Sequence, residues 1–161
     1  MSDSLFLPSA AATGALGARL ADCAPWPAGG APALNLHLQG ELGAGKTSLA
    51  QGLLRALGVQ GAIPSPSYTL VEPYDTAHGR ILHVDLYRLK SSDELDLLGA
   101  RDEWLECALL LVEWPERAVA QLAPADLRIE LGVADGGRSA RLQAGTEAGE
   151  RWRRAVVTRE I

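Results

Sequence analysis

Apolar and polar positions along this chain alternate in some stretches and recur at helical spacing in others. Leu34, Leu36 and Leu38 alternate with Asn35 and His37, which predicts a strand over 33–38. Leu49, Leu53, Leu54 and Leu57 share one helical face, which predicts a helix over 48–57 stopped by Gly58. Upstream, Ser9 is placed to cap a helix over 10–23, with Leu16 and Leu20 four residues apart. Residues 25–30 are a loop of Pro and Gly. Residues 68–74 and 81–87 read as strands, joined by 75–80 into a hairpin. Ser91-Ser92-Asp93-Glu94 has the capping-box pattern, opening a short helix that Gly99 ends. Residues 108–112 are almost purely apolar, as in a central strand covered on both faces. A short helix over 116–122 follows. Strands over 127–133 and 138–144 form a second hairpin around Asp135-Gly136-Gly137, and a terminal helix covers 147–157. This order of strands and helices predicts an α/β fold, a three-layer sandwich whose mixed sheet includes antiparallel hairpin strands.

Composition narrows the class. A chain of 161 residues is expected to be one domain over 1–161. With 47% hydrophobic and 22% charged residues it has the balance of a globular protein, not of a disordered chain, a collagen or a disulfide knot. The formal charge is -5. A protein that grips nucleic acid alone usually carries a basic stripe, so any work on nucleic acid is expected to go through a partner. Cys23 and Cys107 lie far apart and are expected to be reduced structural thiols. His37, His78 and His83 form no metal-ligand spacing. The first residues lack the basic start of a signal peptide, and no apolar run reaches the length of a membrane span. The expected compartment is the cytoplasm.

Residues 40–47, Gly-Glu-Leu-Gly-Ala-Gly-Lys-Thr, match G-x-x-x-x-G-K-[ST] between an expected strand and an expected helix. From this composition such a match arises by chance about 0.2% of the time. The chemistry explains the spacing. Gly40, Gly43 and Gly45 permit torsions that a side chain blocks, so that backbone N–H groups face inward around a phosphate. The helix start adds positive potential there. Lys46 reaches the β- and γ-phosphates, and the Thr47 hydroxyl serves Mg²⁺.

Phosphate chemistry at such a loop also needs an acid for the metal and a group that positions the nucleophile. Two expected strands end in acids, Asp85 and Glu113, and in an open α/β sheet either would lie beside the loop. Either is a candidate partner of Thr47. A guanine-reading N-K-x-D motif is absent, since Asn35 is the sole asparagine, which removes the GTPase reading. A small-molecule kinase remains a rival, with Arg88 and Arg101 flanking a candidate lid.

Four segments occur in order: 40–47; 65–74 (Ser-Pro-Ser-Tyr-Thr-Leu-Val-Glu-Pro-Tyr); 83–88 (His-Val-Asp-Leu-Tyr-Arg); and 111–116 (Leu-Val-Glu-Trp-Pro-Glu). Together they resemble the bacterial TsaE family, the ATPase of tRNA threonylcarbamoyladenosine biosynthesis, over about residues 5–145. Ser67 stands where the family would have threonine. The resemblance implies that Gly43, Ala44, Gly45, Lys46, Thr47 and Ser48 hold the ATP phosphates, and that Thr47 and Glu113 bind Mg²⁺. Asp85 would orient water, directly or through the metal, so Lys46 and Asp85 are the implied catalytic pair. Residues 65–69 would be a switch-like loop and Trp114 would sit near the nucleotide. Tyr87 and Arg88 would serve partner contact or phosphate sensing. Ala10, Gly137 and Arg138 would lie at the adenine end. The implied partners are TsaD and TsaB, which move threonylcarbamoyl from an adenylate onto adenosine next to the anticodon. tRNA would be met only indirectly, with no membrane involved.

Overall fold

The computed structural model describes residues 2–29, 31–97, 104 and 106–159. One seven-stranded mixed sheet organises them, in the order β1-β7-β6-β2-β5-β4-β3. Its strands are β1 (Ser2–Leu7), β2 (Leu34–Gln39), β3 (Val71–Thr76), β4 (Gly79–Asp85), β5 (Leu109–Glu113), β6 (Leu127–Ala134) and β7 (Gly137–Ala144). β4, β5, β2 and β6 form a parallel block. β3 and β7 are added antiparallel as hairpin partners of β4 and β6, and β1 runs antiparallel on β7. Parallel strands are buried on both faces, and all five residues of β5 are buried as the apolar run 108–112 led one to expect.

Two apolar layers flank the sheet. On one face Leu34, Leu36, Leu38, Leu109, Leu111 and Ile129 pack under the helices α1 (Ala10–Cys23), α2 (Lys46–Ala56) and α4 (Glu147–Thr158). On the other, Leu82, Val84, Leu110 and Val112 meet Leu95 of α3 (Asp93–Leu97) and Ala118 of the 3₁₀ turn Pro115–Ala118. Both α1 and α4 have side-chain N-caps: Ser9 accepts from the Ala12 N–H and Thr146 from the Gly149 N–H. α4 is tied to α1 by Trp152, whose indole N–H donates to Leu20 O at 2.9 Å. Arg153 of α4 pairs with Asp3 of β1 and with Glu150.

Several expectations shift. Strand β1 was not expected; Leu5 and Leu7 alone mark its inward face, too weak a signal without the edge of β7 to complete it. The strand expected over 68–74 begins at Val71, because Leu70 takes a left-handed φ of 67° and its N–H closes a turn onto Pro66 O. β4 ends at Asp85, whose Oδ1 accepts from the Tyr87 N–H at 2.9 Å, a local turn that competes with the ladder. α2 starts two residues before the expected Ser48, at Lys46. In place of a helix over 116–122 there is the shorter 3₁₀ turn, started by Trp114 at φ 59° and Pro115. The expected helix end at Gly99 and the candidate lid residue Arg101 lie outside the described residues. Both cysteines are unpaired, as expected.

Candidate functional site

The glycine turn of residues 40–45 leaves the end of β2 and delivers the chain into α2. Two of its glycines are dictated by geometry. Gly40 has φ 149° and Gly45 φ 112°. A Cβ on Gly40 would stand 2.4 Å from Leu131 O, so both torsion and space exclude a side chain. Lys46 then opens α2. Its buried ammonium donates to Gly40 O at 2.5 Å and Glu41 O at 2.9 Å, and lies 4.1 Å from the centroid of the Trp114 ring. Burial pulls the Lys46 pKa below its ordinary value; the carboxylates of Glu113, Glu116, Asp85 and Glu41 oppose that shift.

The parallel register of β4 and β5 places Asp85 opposite Glu113. Both carboxylates are almost fully buried and face the start of α2. They are held differently. Glu113 Oε1 accepts from the Thr47 hydroxyl at 3.0 Å, and Glu113 Oε2 lies 2.6 Å from His83 Nε2. Asp85 Oδ2 accepts from Ser65 at 3.2 Å and Ser67 at 3.3 Å, and these two hydroxyls lie 2.8 Å apart. The two acids that the sequence leaves equivalent are thus separated by the fold. Glu113 is joined to the phosphate turn through Thr47, and Asp85 to the loop 65–69.

Thr47, Ser65, Ser67, Asp85 and Glu113 line a cavity of about 220 Å³ with Gly43, Gly45, Lys46, Ser48, Tyr87 and Trp114. Tyr87 and Trp114 form a tilted pair with centroids 4.9 Å apart. A second cavity, of about 310 Å³, shares Gly43, Gly45 and Ser48 with the first and is walled by Ala10, Thr13, Gly137 and Arg138. Arg138 also donates to Gly43 O at 3.3 Å, tying the β6–β7 hairpin to the phosphate turn. The three residues expected at an adenine end, 10, 137 and 138, therefore stand together beside the turn.

Two expected residues line neither cavity with their side chains. Ala44 keeps its place in the turn between Gly43 and Gly45, with its methyl buried in the core and its N–H donating to Glu41 O. Arg88 lies with its guanidinium 4.2 Å from the centroid of the exposed Tyr68 ring, outside both cavities. Sequence reasoning assigned neither His83 nor Thr13 to the site. Spacing puts His83 on the same strand face as Asp85, two residues away, but its contact with Glu113 comes from the pairing of β4 with β5.

The donor set suits a hard divalent cation. It consists of oxygens: the Thr47 hydroxyl and the Glu113 and Asp85 carboxylates. Among the described residues no group of three or more His, Cys, Asp and Glu side chains converges. Mg²⁺ is commonly held in this way, by one or two carboxylates with phosphate oxygens and waters filling its octahedron. Among the described residues no helix is long and apolar enough to cross a membrane.

Known proteins resemble this chain in fold and in sequence. The structure of Bacillus subtilis YdiB superposes with a TM-score of 0.79, covering 98% of this chain and 95% of that one at 24% identity, a likeness of fold. Three relatives are each described as tRNA threonylcarbamoyladenosine biosynthesis protein TsaE. That of Haemophilus influenzae is 42% identical over 73% of this chain and 75% of the relative. That of Synechocystis is 42% identical over 70% and 69%. That of Streptomyces coelicolor is 40% identical over 75% and 84%. The profile of the family described as Threonylcarbamoyl adenosine biosynthesis protein TsaE matches residues 7–141, a span that holds the phosphate turn, both acids and Trp114, and the chain belongs to that family.

Proposed function

We propose that this chain is a Mg²⁺-dependent ATPase that binds a TsaD–TsaB pair and supports repeated cycles of threonylcarbamoyl transfer to adenosine next to the anticodon of tRNA. The observation that carries the ATPase part is the junction of Thr47 with Glu113 at the mouth of a glycine turn, with Asp85 beside it on separate partners. This supports a phosphate cradle, a metal position at Thr47 and Glu113, and a second carboxylate, Asp85, held by Ser65 and Ser67 and not by Thr47.

In this reading the N–H groups from Gly43 to Ser48 wrap the phosphates at the α2 N-terminus. Lys46 moves from its own loop carbonyls to the β- and γ-phosphates. Thr47 and Glu113 hold Mg²⁺, which when bound neutralises charge on the phosphates. Asp85 accepts a hydrogen bond from the attacking water and aims it. Trp114 covers the nucleotide at the Lys46 side, and the cavity of Ala10, Gly137 and Arg138 takes the base end. The loop 65–69, bound through Ser65 and Ser67 to Asp85, is the element a partner would reorder, since closure of a loop often completes a catalytic constellation. The net charge of -5 supports a role that meets tRNA through partners.

The test is a reconstituted modification assay with tRNA, threonine, bicarbonate, ATP, the adenylate-forming enzyme and the TsaD–TsaB pair, with and without this chain. Hydrolysis by the chain alone should be slow and should rise on adding the pair, and multiple turnovers should need the chain. Equal multiple-turnover yields in both arms reject the role. A phosphorylated metabolite from a pooled-substrate screen would establish a kinase instead.

A further inference from the structure

Glu113 is gripped at both oxygens, and the second grip is not explained by the phosphate turn. Its Oε2 lies 2.6 Å from Nε2 of His83, which is fully buried and lines neither cavity. A glutamate that ligates a cation is a carboxylate and only accepts, so the 2.6 Å contact then requires the tautomer in which Nε2 carries the proton and donates. The other ring nitrogen, Nδ1, is buried with no hydrogen-bond partner among the described residues. The imidazole is thus committed to one contact. Strand geometry puts it there: His83 and Asp85 project from the same face of β4, and Glu113 stands opposite Asp85 on β5. Asp85 faces the cavity and His83 the core, with Glu113 between them.

We propose that His83 is a positioning residue for the cation: by holding Glu113 Oε2 it presents Oε1 to Thr47 and to the metal position. This rests on the Mg²⁺ reading above. P-loop proteins commonly use aspartate at this place. Glutamate is one methylene longer and has one more rotatable bond, so a single bond to Thr47 leaves it several rotamers. A short charge-assisted hydrogen bond from a rigid ring removes that freedom. Removing such an outer partner of a metal ligand commonly costs about 10–100-fold in metal affinity.

The experiment uses the full chain and a fluorescent ADP analogue carrying a methylanthraniloyl group, bound first without metal and then titrated with Mg²⁺. His83→Leu and His83→Asn should raise the Mg²⁺ concentration for half-response about 10–100-fold. His83→Gln, whose amide nitrogen falls near the position of Nε2, should restore a response close to wild type. Metal-free binding of the analogue should be unchanged in all three. Adding Glu113→Gln to His83→Leu should lose no more than Glu113→Gln alone, because the histidine acts through that carboxylate. Wild-type Mg²⁺ response in His83→Leu overturns the proposal. So does equal damage by Gln and Leu, or a matching fall in metal-free binding, since both mark a merely structural histidine. If His83→Leu does not fold, the difference between Gln and Asn decides on the same terms. Should Glu113→Gln itself respond normally to Mg²⁺, the metal assignment of the site fails and this inference with it. If Glu113→Gln is impaired and His83→Leu is not, the inference alone fails.

Discussion

Helices α1 and α2, which carry the two sides of the candidate nucleotide site, cross where neither has a side chain. A Cβ on Gly52 would stand 2.1 Å from Gly14 O and 2.7 Å from its carbonyl carbon; one on Gly17 would stand 2.2 Å from Leu49 O. These obstacles are backbone atoms of the facing helix and cannot rotate away. By contrast, a Cβ on Gly14 meets nothing within 4 Å. Three glycine-to-alanine changes on one interface therefore carry opposite signs. Gly14→Ala should stabilise by up to about 1 kcal/mol, the difference in helix propensity. Gly52→Ala gains the same about 1 kcal/mol of propensity but forces the helices apart, an overpacking that costs about 3 kcal/mol at the upper end. The net loss is about 2 kcal/mol, or about 4–8 °C in Tm for a chain of this size. Gly17→Ala should behave alike. Guanidinium unfolding followed by far-ultraviolet circular dichroism reads all three. Because α2 begins with Lys46 and Thr47, a shift of about 1 Å between the helices should also weaken nucleotide binding, as small misplacements at such sites are costly. A Gly52→Ala variant at or above wild-type stability would refute the reasoning, because no flexible side chain is present to absorb the added methyl.

Lys46→Ala should weaken ATP binding about 10–100-fold, the worth of a charged hydrogen bond to phosphate, by calorimetric titration; wild-type affinity would remove the site. Asp85→Asn should bind Mg-ATP and hydrolyse it slowly, whereas Glu113→Gln should lose the Mg²⁺ dependence of binding; the reverse pattern exchanges their roles. His37 has its pKa lowered to about 4 by burial, then by Arg128, with Asp126 opposing. The unfolded chain binds this proton near pH 6.5 and the folded chain only near 4, so stability is lost as pH falls between them, by up to about 3 kcal/mol. Denaturant midpoints at stepped pH, for wild type and His37→Leu, should diverge over that window; parallel curves would show that His37 titrates normally.

Local signals determined a large part of this protein. The glycine pattern of 40–45 followed by Lys46 and Thr47 marks a candidate phosphate turn because torsion and spacing are properties of neighbouring residues. The run 108–112 reads as a central strand because a strand covered on both faces leaves no polar positions. Asp85 and Glu113 were legible as acids at strand ends. What the sequence left open was always a matter of register or packing. Nothing local tells the two acids apart; the pairing of β4, β5 and β2 puts Glu113 against Thr47 and leaves Asp85 to Ser65 and Ser67. β1 exists only because the edge of β7 accepts it, and Arg153 of α4 pairs with its Asp3 across 150 residues of chain. Gly14, Gly17 and Gly52 look like weak points of two helices until their crossing makes two of them indispensable and one dispensable. His83 reads as an unremarkable strand residue, and its role appears only when the neighbouring strand brings a carboxylate within 2.6 Å. Torsion, turn chemistry and periodicity act between adjacent residues, whereas the choice between like groups depends on which distant strand arrives beside them.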